Sequence, residues 1–208
     1  MAGGALALEP GVATPLPAGR ALPNFSTYPH PRYGFTLDLW LAGAPPVNSA
    51  GSAVALFDAP ANSGSGGVFA TQFGNGTVEL RLRDRHGLEA RWRTDPVCSA
   101  RLAAVAPEPA QRARHHLGIA VDAGPKMISF VVDGKLCDGG PDLAAWPNGH
   151  LLFDPLLGDV GGGAGAAVTA GSGAAGVVLA RLYPRVLYTS ELVGNWRAGL
   201  VQQPNPRQ

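Results

Sequence analysis

The sequence predicts an all-β chain, a two-sheet antiparallel sandwich with one short C-terminal helix. Three observations carry that expectation. Short segments alternate apolar and polar side chains, the period of a half-buried strand. Turn residues are abundant, with 29 Gly and 19 Pro in 208 residues, and they are spread without the fixed period of collagen. A helix signal comes only late, where Thr189-Ser190-Glu191 offers an N-cap and an early acid before a helix to about Ala198.

Taken in order, residues 1–33 are rich in Pro, Ala and Gly and are expected to form an extended N-terminal arm, with room for an edge strand near Ala5 to Leu8. The sandwich domain is expected over 34–199, ahead of a flexible tail at 200–208. "FTLDLWL" (35–41) opens it, and "AVALFD" and "GVFATQF" follow, divided by the loop "APANSGSGG".

In "TVELRLRDRHGLEARWR", Val78, Leu80 and Leu82 share one face, and Glu79, Arg81 and Arg83 the other. A two-residue turn would set apolar positions against polar ones. A three-residue turn, Asp84-Arg85-His86, with Gly87 supplying the positive φ of a bulge, restores the match. That register sets Leu82 against Leu88, Leu80 against Ala90 and Val78 against Trp92. On the other face it sets Glu79 against Arg91 and Arg81 against Glu89.

"HHLGIAVD" and "KMISFVVD" form the next pair of strands, joined through Ala123-Gly124-Pro125. Asp133-Gly134 then suits a two-residue type I′ turn, placing Val131 opposite Leu136 and Phe130 opposite Cys137 in a hairpin buried on both sides. Residues 161–176 are a low-complexity connection. "GVVLARLYPRVLY" resumes extended structure, with Pro184 implying an edge or bend.

Composition narrows the function. Sixteen basic and fifteen acidic residues leave a formal charge of +1, which argues against nucleic acid as a partner. No apolar run reaches the roughly 18 residues of a membrane span. "MAGGALALEPG" lacks the pattern of a signal peptide, so the expectation is either a cytosolic chain or a fragment of a larger secreted protein. Cys98 and Cys137 are too few for a four-ligand zinc site and pair as a disulfide or stay as two buried thiols. The triplets at Asn24 and Asn75 have the form of N-glycosylation sequons, which also arise by chance.

"FTLDLWL", "GTVELRLRD", "HHLGIAVDAGPKMISFVVDGKLCDGG" and "ARLYPRVLYTSELVGN" together resemble the laminin G-like, concanavalin A-like jelly roll, in the version attached to secreted carbohydrate-active proteins. The resemblance covers Gly34 to Ala198. It implies a jelly-roll topology, an extracellular or cell-surface setting, a glycan or an extracellular protein as partner, and in some members a rim calcium ion. "GVVLARLY" departs from it, lacking the acidic pair that often precedes the last strand.

Glucanases of this jelly roll carry Glu-x-Asp-x-x-Glu on one strand, which puts acid and nucleophile on one face about 5 Å apart. None of the five Glu here has an Asp two residues later. Glu79 and Glu89 are each expected to face an arginine, which lowers a carboxyl pKa, the wrong direction for a general acid. No catalytic residue is therefore assigned. His115 and His116 point to opposite faces of one strand and cannot chelate jointly.

The remaining candidates are binding residues. Glu79, Arg81, Arg91 and Arg93 form a polar sheet face suited to carboxylates or sugar hydroxyls, or simply to cross-strand ion pairs. Trp146, in a Pro- and Gly-flanked loop, suits a stacking plate for a sugar ring or a cap on the core. Asp58 and Asp159 are rim carboxylates that offer a calcium ion too few of its six to eight oxygens. No cofactor is expected beyond that calcium. The expected function is a non-catalytic recognition module, most of all a carbohydrate-binding one, with a laminin G-type adhesion module as the alternative and a glycoside hydrolase last.

Overall fold

The computed structural model describes residues 5–15, 34–42, 53–61, 66–83, 87–104, 114–122, 127–137, 167–171 and 176–201. Twelve strands and two helices are found there: β1 (Leu6–Leu8), β2 (Ala13–Pro15), β3 (Gly34–Ala42), β4 (Ala53–Pro60), β5 (Gly67–Phe73), β6 (Val78–Arg83), β7 (Glu89–Arg93), α1 (Pro96–Ala103), β8 (Arg114–Asp122), β9 (Met127–Val132), β10 (Lys135–Cys137), β11 (Ala167–Ala170), β12 (Val177–Tyr183) and α2 (Thr189–Val201). They build two six-stranded antiparallel sheets. Sheet 1 has the order β1-β12-β3-β8-β9-β10, and sheet 2 the order β2-β11-β4-β5-β6-β7. β1 lies against β12 in sheet 1 and β2 against β11 in sheet 2, so the chain changes sheets at Gly11, which takes a φ of +77°.

Alternation puts one row of each strand into the space between the sheets. Phe35, Leu37, Leu39 and Leu41 of β3 and Leu117, Ile119 and Val121 of β8 share one core with Val68, Ala70, Val78, Leu80, Leu82 and Trp92 of sheet 2. The outer row of sheet 1 is also buried. There Ala120 and Val131 pack against Leu187 and Leu192, along with Tyr183, Val186 and Val193. Gly118 leaves the room this needs, because a Cβ at that position would stand 2.6 Å from the Leu192 side chain. α2 therefore lies on sheet 1. No helix among the described residues is long and apolar enough to cross a membrane.

Several local expectations meet the structure directly. Asp133 (φ 48°) and Gly134 (φ 73°) make the two-residue turn, and Val131 faces Leu136 and Phe130 faces Cys137. Leu136 is nonetheless exposed, because β10 is the edge of the sheet and its outward row meets solvent. Cys98 and Cys137 form a disulfide that ties α1 to β10.

Others are corrected. The β6–β7 pairing is Glu79–Arg93, Leu80–Trp92, Arg81–Arg91, Leu82–Ala90 and Arg83–Glu89, two residues away from the expected register. An even shift keeps each side chain on its face, so alternation cannot distinguish the two registers. Thr94 closes the observed one, its N–H donating to the Val78 carbonyl (2.9 Å) while its Oγ1 accepts from the Val78 N–H (3.0 Å). Residues 84–86 of the expected turn lie outside the described residues, and Gly87 does carry a positive φ, +81°.

α1 was not anticipated. Asp95 caps it by accepting from the Cys98 N–H at 2.7 Å, and Pro96 stands at its start. α2 begins at Thr189 as expected and runs on to Val201. Its first turn is closed by the Glu191 carboxylate, which accepts from the Tyr188 N–H at 2.9 Å, and not by a Thr189 hydroxyl. Residues 16–33 of the arm, the turn at 123–125, residues 161–166 and 172–175 of the expected connection at 161–176, and residues 202–208 of the tail lie outside the described residues. The middle of that connection is not irregular: Ala167–Ala170 form β11, whose backbone pairs with β2 and β4.

Candidate functional site

The outer row of sheet 2 is the polar surface of the sandwich, and the β-period assigns its members. β6 contributes Glu79, Arg81 and Arg83, and β7 contributes Glu89, Arg91 and Arg93. β5 adds Phe69, Thr71 and Phe73, and β4 adds Asp58. Register aligns Thr169, Asp58, Phe69, Arg81 and Arg91 in one row across five strands. The row beside it contains Thr71, Glu79 and Arg93.

The four hairpin residues proposed from sequence thus stand on one surface, but their partners differ from expectation. Glu79 is bound by Arg93, whose Nε donates to Glu79 Oε2 at 2.8 Å. Glu89 is bound by Arg91 of its own strand, with Nε to Oε1 at 2.6 Å. That bond pushes the Arg91 guanidinium further above its ordinary range. Arg81 faces Arg91 and has no carboxylate partner among the described residues. Its guanidinium lies over the Phe69 ring instead, 4.5 Å from the centroid, and Arg93 approaches Phe73 at 5.8 Å. A stacked guanidinium is held in place by a contact that uses none of its five N–H donors. Arg81 is therefore positioned and uncommitted.

Asp58 is exposed, on the same side as Arg81, and its carboxylate accepts no hydrogen bond among the described residues. Partial burial raises its carboxyl above the ordinary 3.8, while the positive charge of Arg81 opposes the shift. It belongs to no cluster of potential metal ligands. Among the described residues the one such group is Asp95, Cys98 and Cys137, and its two sulfurs are bonded to each other. Trp146 and Asp159 lie outside the described residues. Phe69 and Phe73 join this surface without being among the residues the sequence singles out. Their signal was present in "GVFATQF", where alternate positions carry Phe, Thr and Phe, but their importance comes from arginines on neighbouring strands.

The second polar cluster is closed. His116 Nε2 meets Asp38 Oδ1 at 2.7 Å, and Asn195 of α2 donates to Asp38 Oδ2 at 2.8 Å. Neither Asp38 nor His116 has any solvent exposure. On the other side of β8, His115 Nδ1 pairs with Asp133 Oδ2 at 2.8 Å and its Nε2 lies 3.2 Å from the Ala104 carbonyl. The two histidines do point apart, and each fastens neighbouring elements.

No known protein family matches the chain as a sequence profile, and no curated protein matches it in sequence. Solved structures do match its fold. It is similar to the CBM40 of an IT-sialidase from Ruminococcus gnavus, at TM-score 0.55 and 14% identity, over 92% of this chain and 95% of that one. The same module bound to α2,3-sialyllactose matches at TM-score 0.54. A leech intramolecular trans-sialidase matches at TM-score 0.51 and 15% identity, over 93% of this chain and 27% of that one. At these identities the likeness shows the fold alone, a two-sheet β-sandwich.

Proposed function

We propose that this protein is a non-catalytic carbohydrate-recognition module whose ligand face is the outer surface of β4, β5, β6 and β7, with Arg81 as the anchor for a carboxylate-bearing sugar. The observation that carries the reading is the state of Arg81, fixed on Phe69 with its donors unspent. A planar donor fork matches a carboxylate in two parallel hydrogen bonds. Thr71 on the same surface supplies a hydroxyl for sugar OH groups. The solved module of this fold with bound α2,3-sialyllactose supports an acidic glycan as the class to test first. The arginine ion pairs of Glu79 and Glu89 support the non-catalytic part of the reading, since a neighbouring cation disfavours a general acid. Trp146 remains a candidate stacking plate from the sequence, and an extracellular setting accords with such a ligand.

Calorimetric titration with α2,3-sialyllactose and with neutral lactose tests the reading. Sialyllactose should give saturable heat that lactose does not. Arg81→Gln should weaken binding roughly 10- to 100-fold, the size of a lost charge-assisted hydrogen bond of about 1.5–3 kcal/mol, with the unfolding midpoint unmoved. Equal titration of the variant and the parent would remove Arg81 as anchor.

A further inference from the structure

We infer that Asp58 makes the capture of an anionic sugar on this face proton-linked, so that the face holds its ligand more tightly as the medium becomes acidic. The inference rests on the glycan reading above and concerns the regulation of the same surface. Asp58 and Arg81 flank Phe69 from two sides, one strand away in each direction. At about 4.8 Å per strand, their backbones stand roughly 10 Å apart with side chains rising from the same face. An anion docked on Arg81 therefore sits within the field of the Asp58 carboxylate.

The groups facing Asp58 determine the sign. β11 presents Thr169, and β5 presents Phe69 and Thr71, all uncharged. β6 presents Arg81, flanked on its own strand by Glu79 and Arg83, and β7 presents Arg91 opposite Arg81. Glu79 is neutralised by Arg93, and Glu89 by Arg91. Asp58 is thus the carboxylate on this surface with no cation bound to it among the described residues, and it is the negative charge an incoming anion meets. Protonation removes that charge and turns the carboxyl into a hydrogen-bond donor as well. Partial burial already favours the protonated form, and a bound anion would favour it further. Over about 10 Å, one unit charge at an effective dielectric between 20 and 80 changes binding on the order of 2- to 15-fold.

The experiment is calorimetry with α2,3-sialyllactose from pH 7 down to pH 4.5, in buffers of different ionisation enthalpy, for the parent and for Asp58→Asn. The parent should gain affinity as pH falls, by up to that factor, and take up protons on binding. Asp58→Asn should bind at pH 7 at least as tightly as the parent does at pH 4.5, with its pH dependence gone. A flat parent profile with binding intact overturns the role of Asp58 and leaves the glycan reading standing. So does an Asp58→Asn variant that binds more weakly at every pH, which makes Asp58 a plain hydroxyl acceptor. Absence of binding at any pH overturns both.

Discussion

The two sheets of this sandwich use their outer faces in opposite ways. On sheet 1 the outer row of β3 is Thr36, Asp38 and Trp40, all buried under α2 and the segment leading to it. Its polar atoms are spent internally: the Thr36 Oγ1 accepts from the Leu187 N–H at 2.8 Å, and Asp38 is shared by His116 and Asn195. On sheet 2 the outer row carries the arginines, half-buried or exposed, and Arg81 and Asp58 keep their hydrogen-bonding capacity. The same strand period thus serves cohesion on one face and presentation on the other. What differs is whether a helix follows to cover the row.

The largest expected effect lies on the covered face. Asp38→Ala would leave the fully buried His116 without its acceptor, reduce the half-buried Asn195 amide to its bond with the Tyr183 hydroxyl, and remove the carboxylate 3.7 Å from Arg181. Removing one partner of a buried pair costs about 3–5 kcal/mol, which urea unfolding would read as a large drop in midpoint. Affinity for sialyllactose, measured while the variant is still folded, should not change. A stability loss under about 1 kcal/mol would mean that water replaces Asp38 beneath α2, and the contrast between the faces would then fail on its stronger side.

How much of this contrast can be read from sequence depends on what the chain fixes locally. The Asp133-Gly134 turn was legible because two successive positive-φ positions leave one hairpin geometry, and the register of β9 with β10 follows from it. The β6–β7 register was not, because its loop is longer and a slip of two residues costs nothing in the apolar pattern. Asp95-Pro96 carried a helix-start signal, but α1 is only eight residues long and buries just Cys98, Ser99 and Leu102, too short for a helical period to stand out. The arginine face was legible through its alternation. The relation of Asp58 to Arg81 was not, since it exists only once β5 lies between β4 and β6. From sequence alone Asp58 is only a rim acid at the end of a strand; its place beside the anchor comes from the strand order.

A smaller effect comes from the rim, where His115 joins the turn of sheet 1 to the end of α1. Its pKa is raised above 6.5, first by the hydrogen bond to Asp133, against the opposing effect of burial. In the imidazolium form both ring nitrogens donate, one to Asp133 and one to the Ala104 carbonyl; the neutral ring can satisfy only one of them. A raised folded pKa gives stability that is full below the unfolded value near 6.5 and is lost as pH rises through the folded value. Urea midpoints should therefore fall as pH is raised above about 6.5, and His115→Gln should flatten that decline. A midpoint that rises over the same range would show that the ring is held neutral.

The smallest expected effect sharpens the open face. Glu79 binds Arg93, whose side chain is 63% exposed, so the pair is screened on its cationic side. Such pairs contribute about 0–1 kcal/mol, and Glu79→Gln should move the unfolding midpoint by no more than that. Its consequence for recognition should be larger in proportion. Arg93 would lose its built-in anion while its ring contact with Phe73 remains, adding a second uncommitted guanidinium to the surface that holds Arg81. Affinity for sialyllactose should then rise a few-fold, and the gain should shrink with added salt because the Arg93 guanidinium stands in solvent. If affinity falls instead, Glu79 is itself accepting a hydroxyl from the sugar, and the ligand reaches from the Arg81 row to the row beside it.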